Sequence, residues 1–540
     1  MASAAWMTIE GELEHPHAAS RLRDAVGATA IRFRLSVDDS LVEGAYVVEG
    51  SADAIVVRGG PVSGVIQGVE RVVREMGAAG SEGRPHISVI AANLTKTPWS
   101  DAPALPHRPL WTWDHSTDWL LDAVGAQDTG AFNPYNRQPA SFLEDYERLV
   151  DFASRVGINA VVVYGLLRDS HGGVESARRL CRFGAARGVR IIAGIGINAY
   201  GGIYWEGPHR FNLATWLRAH PELAAQSEQA LGFSIPDYGE FAFPRSDYLA
   251  VSCPSRVENV RFHEDAVAWL VDTLDVGGVL FEAGDYGGCA CEVCESDRGS
   301  ADRIARLAEQ YERLFDLVAA SSGTVPRWSI YEVYTDNVLD AQVRASVAPL
   351  PDSATYQYTV NRSYWPRVRE AVGADDFGLL PHSWNILRTH VGSQWNRQRH
   401  AWVGATFAEM AGVASRTRMS GFSVFGEASA YHPPNELNYA AFARYGWDPG
   451  LAWERFEREE VHPRLGGHDA ASRFLALLGH LEEDRIDAAV DSDLTAAYAE
   501  ARDMGRSFSG EVGRRWLWLE ERLARRSYAL HDHGRPPLGG

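Results

Sequence analysis

The sequence predicts an α/β protein built on a (β/α)8 TIM barrel, with a small α+β unit before the barrel and a helical extension after it. Three observations carry this prediction. Apolar runs of strand length alternate with amphipathic stretches from residue 108 onward. Those runs are apolar on both faces, as strands buried between two helix layers must be. Their C-terminal ends collect acids and aromatics, where barrels of this kind keep their reacting groups.

The eight expected strands are Pro109–Asp114, Ala160–Gly165, Arg190–Ile197, Gly278–Phe281, Arg327–Glu332, Thr355–Thr359, Phe377–His382 and Gly421–Glu427. Between the first two, Ser141 and Glu144 form a capping box. Phe142, Tyr146, Leu149 and Phe152 share one helix face, and Gly157 ends the helix. An open doubly wound sheet is the competing architecture, but no glycine-rich phosphate loop follows the first strand.

Residues 1–100 read as a separate α+β module, with strands at Ala30–Leu35, Gly44–Val48 and Ala54–Val57 and a helix from Val65 to Met76. A Pro-rich join from Pro98 to Pro109 leads into the barrel, assigned to 101–449. Residues 450–540 form the helical region, with helix expected to near Leu530. The connection 199–250 is long and aromatic, the profile of a functional loop.

Composition narrows the partners. The chain has 540 residues, 45% hydrophobic and 23% charged, with a formal net charge of −19. An acidic balance argues against nucleic acid or an anionic membrane, because both need a basic face. The first thirty residues carry no signal-peptide pattern, and no run approaches a membrane span. The expectation is therefore a cytoplasmic monomer or homo-oligomer without a disulfide framework.

The strand ends supply the candidate chemistry. Catalytic candidates are Glu282 and Asp285 on the fourth strand, Glu332 on the fifth and Glu427 on the eighth. Around them stand Trp113, Asp114, Tyr164, Arg168, Asn198, Tyr200, Tyr358, His382 and Trp384 as substrate-binding candidates. Cleavage of a glycosidic bond needs one carboxylic acid to protonate the leaving oxygen and a second carboxylate as base, nucleophile or charge stabiliser; aromatic platforms hold the sugar. The competing structural reading has the acids capping helices or pairing with Arg168, Arg362 or Arg388, and Trp113 and Trp384 packing the barrel rim.

Two other functional classes remain open. One is a metal-dependent barrel hydrolase or lyase using His115, His171 or His382, although no His-x-His pair ends a strand. The other is a non-catalytic carbohydrate-binding barrel.

The sharpest local pattern is Cys289-Ala290-Cys291-Glu292-Val293-Cys294, with Cys253 as a fourth thiol. Four thiolates make a closed, structural zinc site. Reduced buried thiols are the alternative. No cofactor is required for the expected catalysis.

With these residues in view, the chain resembles glycoside hydrolases whose barrel follows a small α+β domain, as in the family 20 hexosaminidases and the family 67 α-glucuronidases. In the N-terminal unit the resemblance rests on the strand Ala54–Val57 and on Gly64-Val65-Ile66-Gln67-Gly68 opening a helix. In family 20 the fourth strand ends in an Asp that orients the substrate and a Glu that acts as acid. Asp285 matches the first, and Tyr286 stands in the place of the second.

Overall fold

The computed structural model describes residues 7–77, 86–113, 142–199, 201–226, 250–282, 289–294, 300–321, 326–333, 341–360, 366–368, 370, 385–389, 401–426, 432–481 and 491–531. The N-terminal unit is a five-stranded sheet in the order β1-β2-β4-β3-β5. Its strands are β1 (Ile9–Glu10), β2 (Arg32–Val37), β3 (Tyr46–Gly50), β4 (Ala54–Gly59) and β5 (Trp99–Asp101). Helices α1 (Pro16–Val26), α2 (Gly64–Gly77) and α3 (Ile87–Lys96) cover it. Leu22, Phe33, Val48, Ile55, Val57, Val69 and Leu94 form a core of its own.

Eight parallel strands then close a barrel: β6 (Pro109–Trp113), β7 (Ala160–Tyr164), β8 (Arg190–Gly196), β9 (Gly278–Glu282), β10 (Trp328–Val333), β11 (Thr355–Val360), β12 (Asn385–Thr389) and β13 (Gly421–Gly426). β13 pairs with β6, matching Phe425 with Trp111, and this pairing completes the circle. The first covering helix, α4 (Phe142–Val156), buries Phe142, Tyr146, Leu149 and Phe152 and ends at Gly157. There a φ of 97° is open to glycine and costly to other residues. Ser141, its expected cap, lies outside the described residues.

Two expectations need correction. The seventh strand is Asn385–Thr389, whereas the sequence pointed to Phe377–His382. A run containing Gly378 and Pro381 suits a ladder poorly, since proline offers no N–H and glycine no packing side chain. Nor is the Pro-rich segment 98–109 a plain join. Trp99–Asp101 is the fifth strand of the N-terminal sheet, antiparallel to β3. Ala104 N–H and Leu105 N–H then bond Trp447 and Gly446 carbonyls, and His107 N–H bonds the Ser420 carbonyl.

The closed end of the barrel is held by buried cations. Arg108 is fully buried; its guanidinium donates to the carbonyls of Gly157 (2.8 Å), Leu105 (2.6 Å) and Pro106 (3.3 Å). Its own N–H bonds Asn159 Oδ1 at 3.0 Å. Burial lowers its pKa to about 10. Arg190 pairs with Glu43 of the N-terminal unit at 2.7 Å, donates to the Pro326 carbonyl and stacks on Trp328.

The helix Pro433–Trp447 follows the eighth barrel strand, and beyond it come helical segments at Trp453–Phe456, Glu457–Val461, His462–Leu465, His468–Leu478, Asp491–Gly505 and Gly510–His531. Glu436 of the helix Pro433–Trp447 takes a bidentate pair from Arg515 at 2.7 and 2.6 Å, which ties the last helix to the barrel. Among the described residues no helix is long and apolar enough to cross a membrane.

Candidate active site

Which way each strand end points follows from its neighbours. Phe281 and Tyr331 pack edge-on against Phe315 of the helix Ser300–Ala320, so both face the outer layer. Side chains alternate along a strand, so the next residues, Glu282 and Glu332, face the barrel lumen. They are direct register partners on adjacent strands. Both are buried: Glu282 is 6% exposed and Glu332 is 0% exposed.

The same reasoning fills the rest of this level. Gln357 is in register with Glu332, and its Oε1 accepts from Ser423 Oγ at 2.8 Å. Thr359 Oγ1 donates to Glu332 Oε1 at 3.3 Å. Gly196 is the partner of Glu282 on the other side. Trp111 lies between Tyr164 and Phe425, with ring centroids at 5.3 and 4.1 Å. At Gly194 a Cβ would sit 2.4 Å from Tyr164 Cδ2, so the missing side chain is what admits the tyrosine ring. The lumen therefore carries two acids, an amide, two hydroxyls and an aromatic wall.

Beyond β7 the chain turns at Gly165, with φ at 84°. Arg168 folds back over that glycine: a Cβ there would meet Nε and Nη2 at 2.9 Å. The guanidinium lies 5.0 Å over the Trp205 ring, and Trp205 in turn packs edge-on against Tyr164 at 4.6 Å. Backbone bonds from Trp205 to Leu167 and from Asp169 to Glu206 fasten the loop after β8 to the loop after β7. Arg168 is 6% exposed, and its Nε and Nη2 have no hydrogen-bond partner among the described residues. A buried donor without an acceptor costs about 1–3 kcal/mol.

The sequence candidates separate on this geometry. Glu282, Glu332 and Tyr164 converge in the lumen, with Arg168 at its edge. Asn198 does not join them: its amide donates to Tyr311 Oη at 2.8 Å and accepts from Ser252 Oγ at 2.9 Å, so it braces the loop after β8. Tyr358 alternates outward with Tyr356, on the side of Arg344, and burial raises its phenol pKa. Asp285, Glu427, Asp114, Tyr200, His382 and Trp384 lie outside the described residues, as does the side chain of Trp113, which closes β6.

Gln357, Thr359, Ser423, Trp111, Phe425 and Trp205 were not among the candidates. The signal for the first two was present: in Tyr356-Gln357-Tyr358-Thr359 the period of two assigns opposite faces, and the polar pair belongs with the acids.

The thiols also converge. Sγ atoms of Cys253, Cys289, Cys291 and Cys294 all lie within 4.8 Å of one another, and among the described residues this is the group able to hold a metal ion. Of the three histidines considered as catalytic ligands, His171 is stacked on Phe142 at 4.2 Å, and His115 and His382 lie outside the described residues.

No protein-family model matches the sequence, and no curated protein matches it. Solved structures do match in fold. A β-N-acetylhexosaminidase from Bacteroides fragilis aligns with 84% of this chain and 89% of its own, at 12% identity and a TM-score of 0.52. A GH138 enzyme targeting pectin rhamnogalacturonan II aligns over 97% of this chain and 69% of its own, at 11% identity and a TM-score of 0.59. CpGH84B aligns over 97% and 86%, at 10% identity and a TM-score of 0.55. At 97% coverage the likeness takes in the N-terminal unit as well as the barrel. It establishes the fold that the resemblance implied.

Proposed function

We propose that this chain is a glycoside hydrolase cleaving the glycosidic bond of a small glycoside or oligosaccharide, with Glu282 and Glu332 as its acid and partner carboxylate. The observation that carries the reading is the register pairing of two buried glutamates inside the lumen of the barrel. Burying carboxyl groups side by side is costly, and such cost is characteristic of sites that use it. Neighbouring strands run about 4.8 Å apart. That spacing favours the close carboxyl pair of a retaining enzyme, about 5–5.5 Å, over the wider pair that leaves room for an attacking water.

In this reading Thr359 orients Glu332, Gln357 stands beside it with its amide oxygen held by Ser423, and Tyr164 and Trp111 form a platform against which a sugar face packs. Arg168 offers its Nε and Nη2 donors to a substrate oxygen. Asp285 and Glu427 remain candidate partner acids, and Trp113, Asp114, Tyr200, His382 and Trp384 candidate contacts. Fold likeness to glycoside hydrolases supports the class; fold by itself does not assign function. Five free thiols support a cytoplasmic address, and a net charge of −19 disfavours a polyanionic partner.

The test is hydrolysis of nitrophenyl hexosaminides, uronides, hexosides and pentosides by the native chain and by Glu282→Gln, Asp285→Asn, Glu332→Gln and Glu427→Gln. We expect release from one sugar class, falling about a hundredfold or more in Glu282→Gln and Glu332→Gln. Release unaffected in both would overturn the assignment. Sugar binding without turnover would support a non-catalytic binding barrel instead.

A further inference from the structure

The structure assigns a tetrahedral zinc site to Cys253, Cys289, Cys291 and Cys294, a metal staple that joins the loops after β8 and β9 just beyond the acid pair. The assignment rests on spacing, burial and donors, independently of what the barrel catalyses.

Spacing decides between the two things four nearby cysteines do. A disulfide brings two sulfurs to about 2.05 Å. Four thiolates around zinc, each at about 2.3 Å, stand about 3.8 Å apart along the edges of the tetrahedron. Cys253 Sγ lies 3.7 Å from Cys291 Sγ and 3.9 Å from Cys294 Sγ. All four cysteines are buried and none is in a disulfide. Zinc matches the ligand set, since four thiolates leave no open coordination position and the site is structural.

The surroundings supply what thiolate ligands need. Gln226 N–H points at Cys289 Sγ at 3.2 Å, and Ser255 Oγ lies 3.0 Å from Cys253 Sγ and 3.5 Å from Cys291 Sγ. Donors of this kind disperse the negative charge that four thiolates place on a divalent ion. The ligands come from two separate chain segments, and a third braces them. Cys253 N–H bonds the Leu223 carbonyl, Ala225 N–H bonds the Val251 carbonyl, and Ala290 N–H bonds the Gln226 carbonyl. Asn259 donates to the carbonyls of Leu223 and Cys253 at 2.8 and 2.9 Å.

Binding transfers thiol protons to solvent and forms four Zn–S bonds, with no change of oxidation state. Residues 251–255 would then be locked to 289–294. Ser252, next to Cys253, already bonds Asn198 at the end of β8, so the staple reaches the strand beside Glu282.

Metal analysis of the full chain, purified without a polyhistidine tag from zinc-replete cells, should find about one zinc per chain. Titrating the thiols with an organic mercurial should release it in step. Cys253→Ser and Cys291→Ser should lose the metal, while Cys181→Ser, with its thiol elsewhere in the fold, should keep it. Should the cluster variants fail to fold, the native chain still decides: exchange with cobalt(II) should give the visible d–d bands and thiolate charge-transfer absorption of a tetrahedral sulfur site. Folded protein with less than about a tenth of an equivalent of zinc and no cobalt spectrum would overturn the assignment. So would iron in place of zinc, or fewer than five titratable thiols after denaturation without reductant.

Discussion

Two buried arginines, one at each end of the barrel, are used in opposite ways. At the closed end, Arg108 spends Nε and Nη1 on the carbonyls of Gly157, Leu105 and Pro106, and only its Nη2 is left without a partner among the described residues. At the open end, Arg168 is about equally buried but rests on Trp205, with Nε and Nη2 unbonded among them. A buried cation whose donors face carbonyls belongs to the scaffold. One held ready without acceptors stores a cost that a ligand can relieve.

That contrast can be broken by experiment, and the largest effect is expected at the closed end. Arg108→Met leaves the buried carbonyls of Gly157 and Leu105 without this donor, while Pro106 keeps Asn159, and should cost about 3 kcal/mol of stability, read from denaturant unfolding. A loss below about 1 kcal/mol would remove the scaffold role. With Arg168 serving a glycoside, Arg168→Met should do the reverse. KM for the responsive glycoside should rise about tenfold, with stability unchanged or higher by about 1 kcal/mol. A stability loss as large as that of Arg108→Met would erase the distinction.

A smaller effect concerns acid. His107, at the closed end, is buried between Arg108 and Arg190, and burial is the main reason its pKa falls from 6.5 to about 3. The unfolded chain therefore takes up this proton first on acidification. Stability from this group is complete above about pH 6.5 and is lost as the pH falls toward 3. His107→Gln should flatten that part of the stability profile, measured by unfolding at a series of pH values; an unchanged slope would exclude His107 as its source. The smallest effect belongs to Tyr358→Phe, whose hydroxyl lies on the helix side. It should alter kcat/KM less than about twofold, whereas Gln357→Leu, one residue away and facing the lumen, should lower it about tenfold.

Most of the barrel was legible because its signal is local. Ala160–Tyr164 and Ile191–Gly196 are unbroken apolar runs closed by glycine or an aromatic, and every residue of both is buried. The misplaced seventh strand marks the limit of that signal. Gly378-Leu379-Leu380-Pro381 is as apolar as a core strand, and only the ladder's need for N–H donors argues against it. Strand β5 was out of reach for a different reason. Trp99-Ser100-Asp101 carries no strand pattern of its own and is extended because β3 offers it an edge. At the site, glutamates at strand ends could be read directly. The outward turn of Tyr358 follows from the period of two along its strand, whereas the structural use of Asn198 depends on Tyr311 and Ser252, which the sequence places far away.

The short strand β5 also sets how the molecule can be divided. Three residues after it the backbone is already bonded to Trp447 and Gly446, and Trp447 touches Tyr46 of the N-terminal sheet. No slack separates the two units, so the front sheet is a built-in floor to the barrel rather than a tethered accessory. A barrel excised at residue 102 would keep both neighbours of its first strand, β7 and β13, but lose the sheet that fixes the segment leading into it, and swapping the front unit for a foreign one would mean rebuilding the floor.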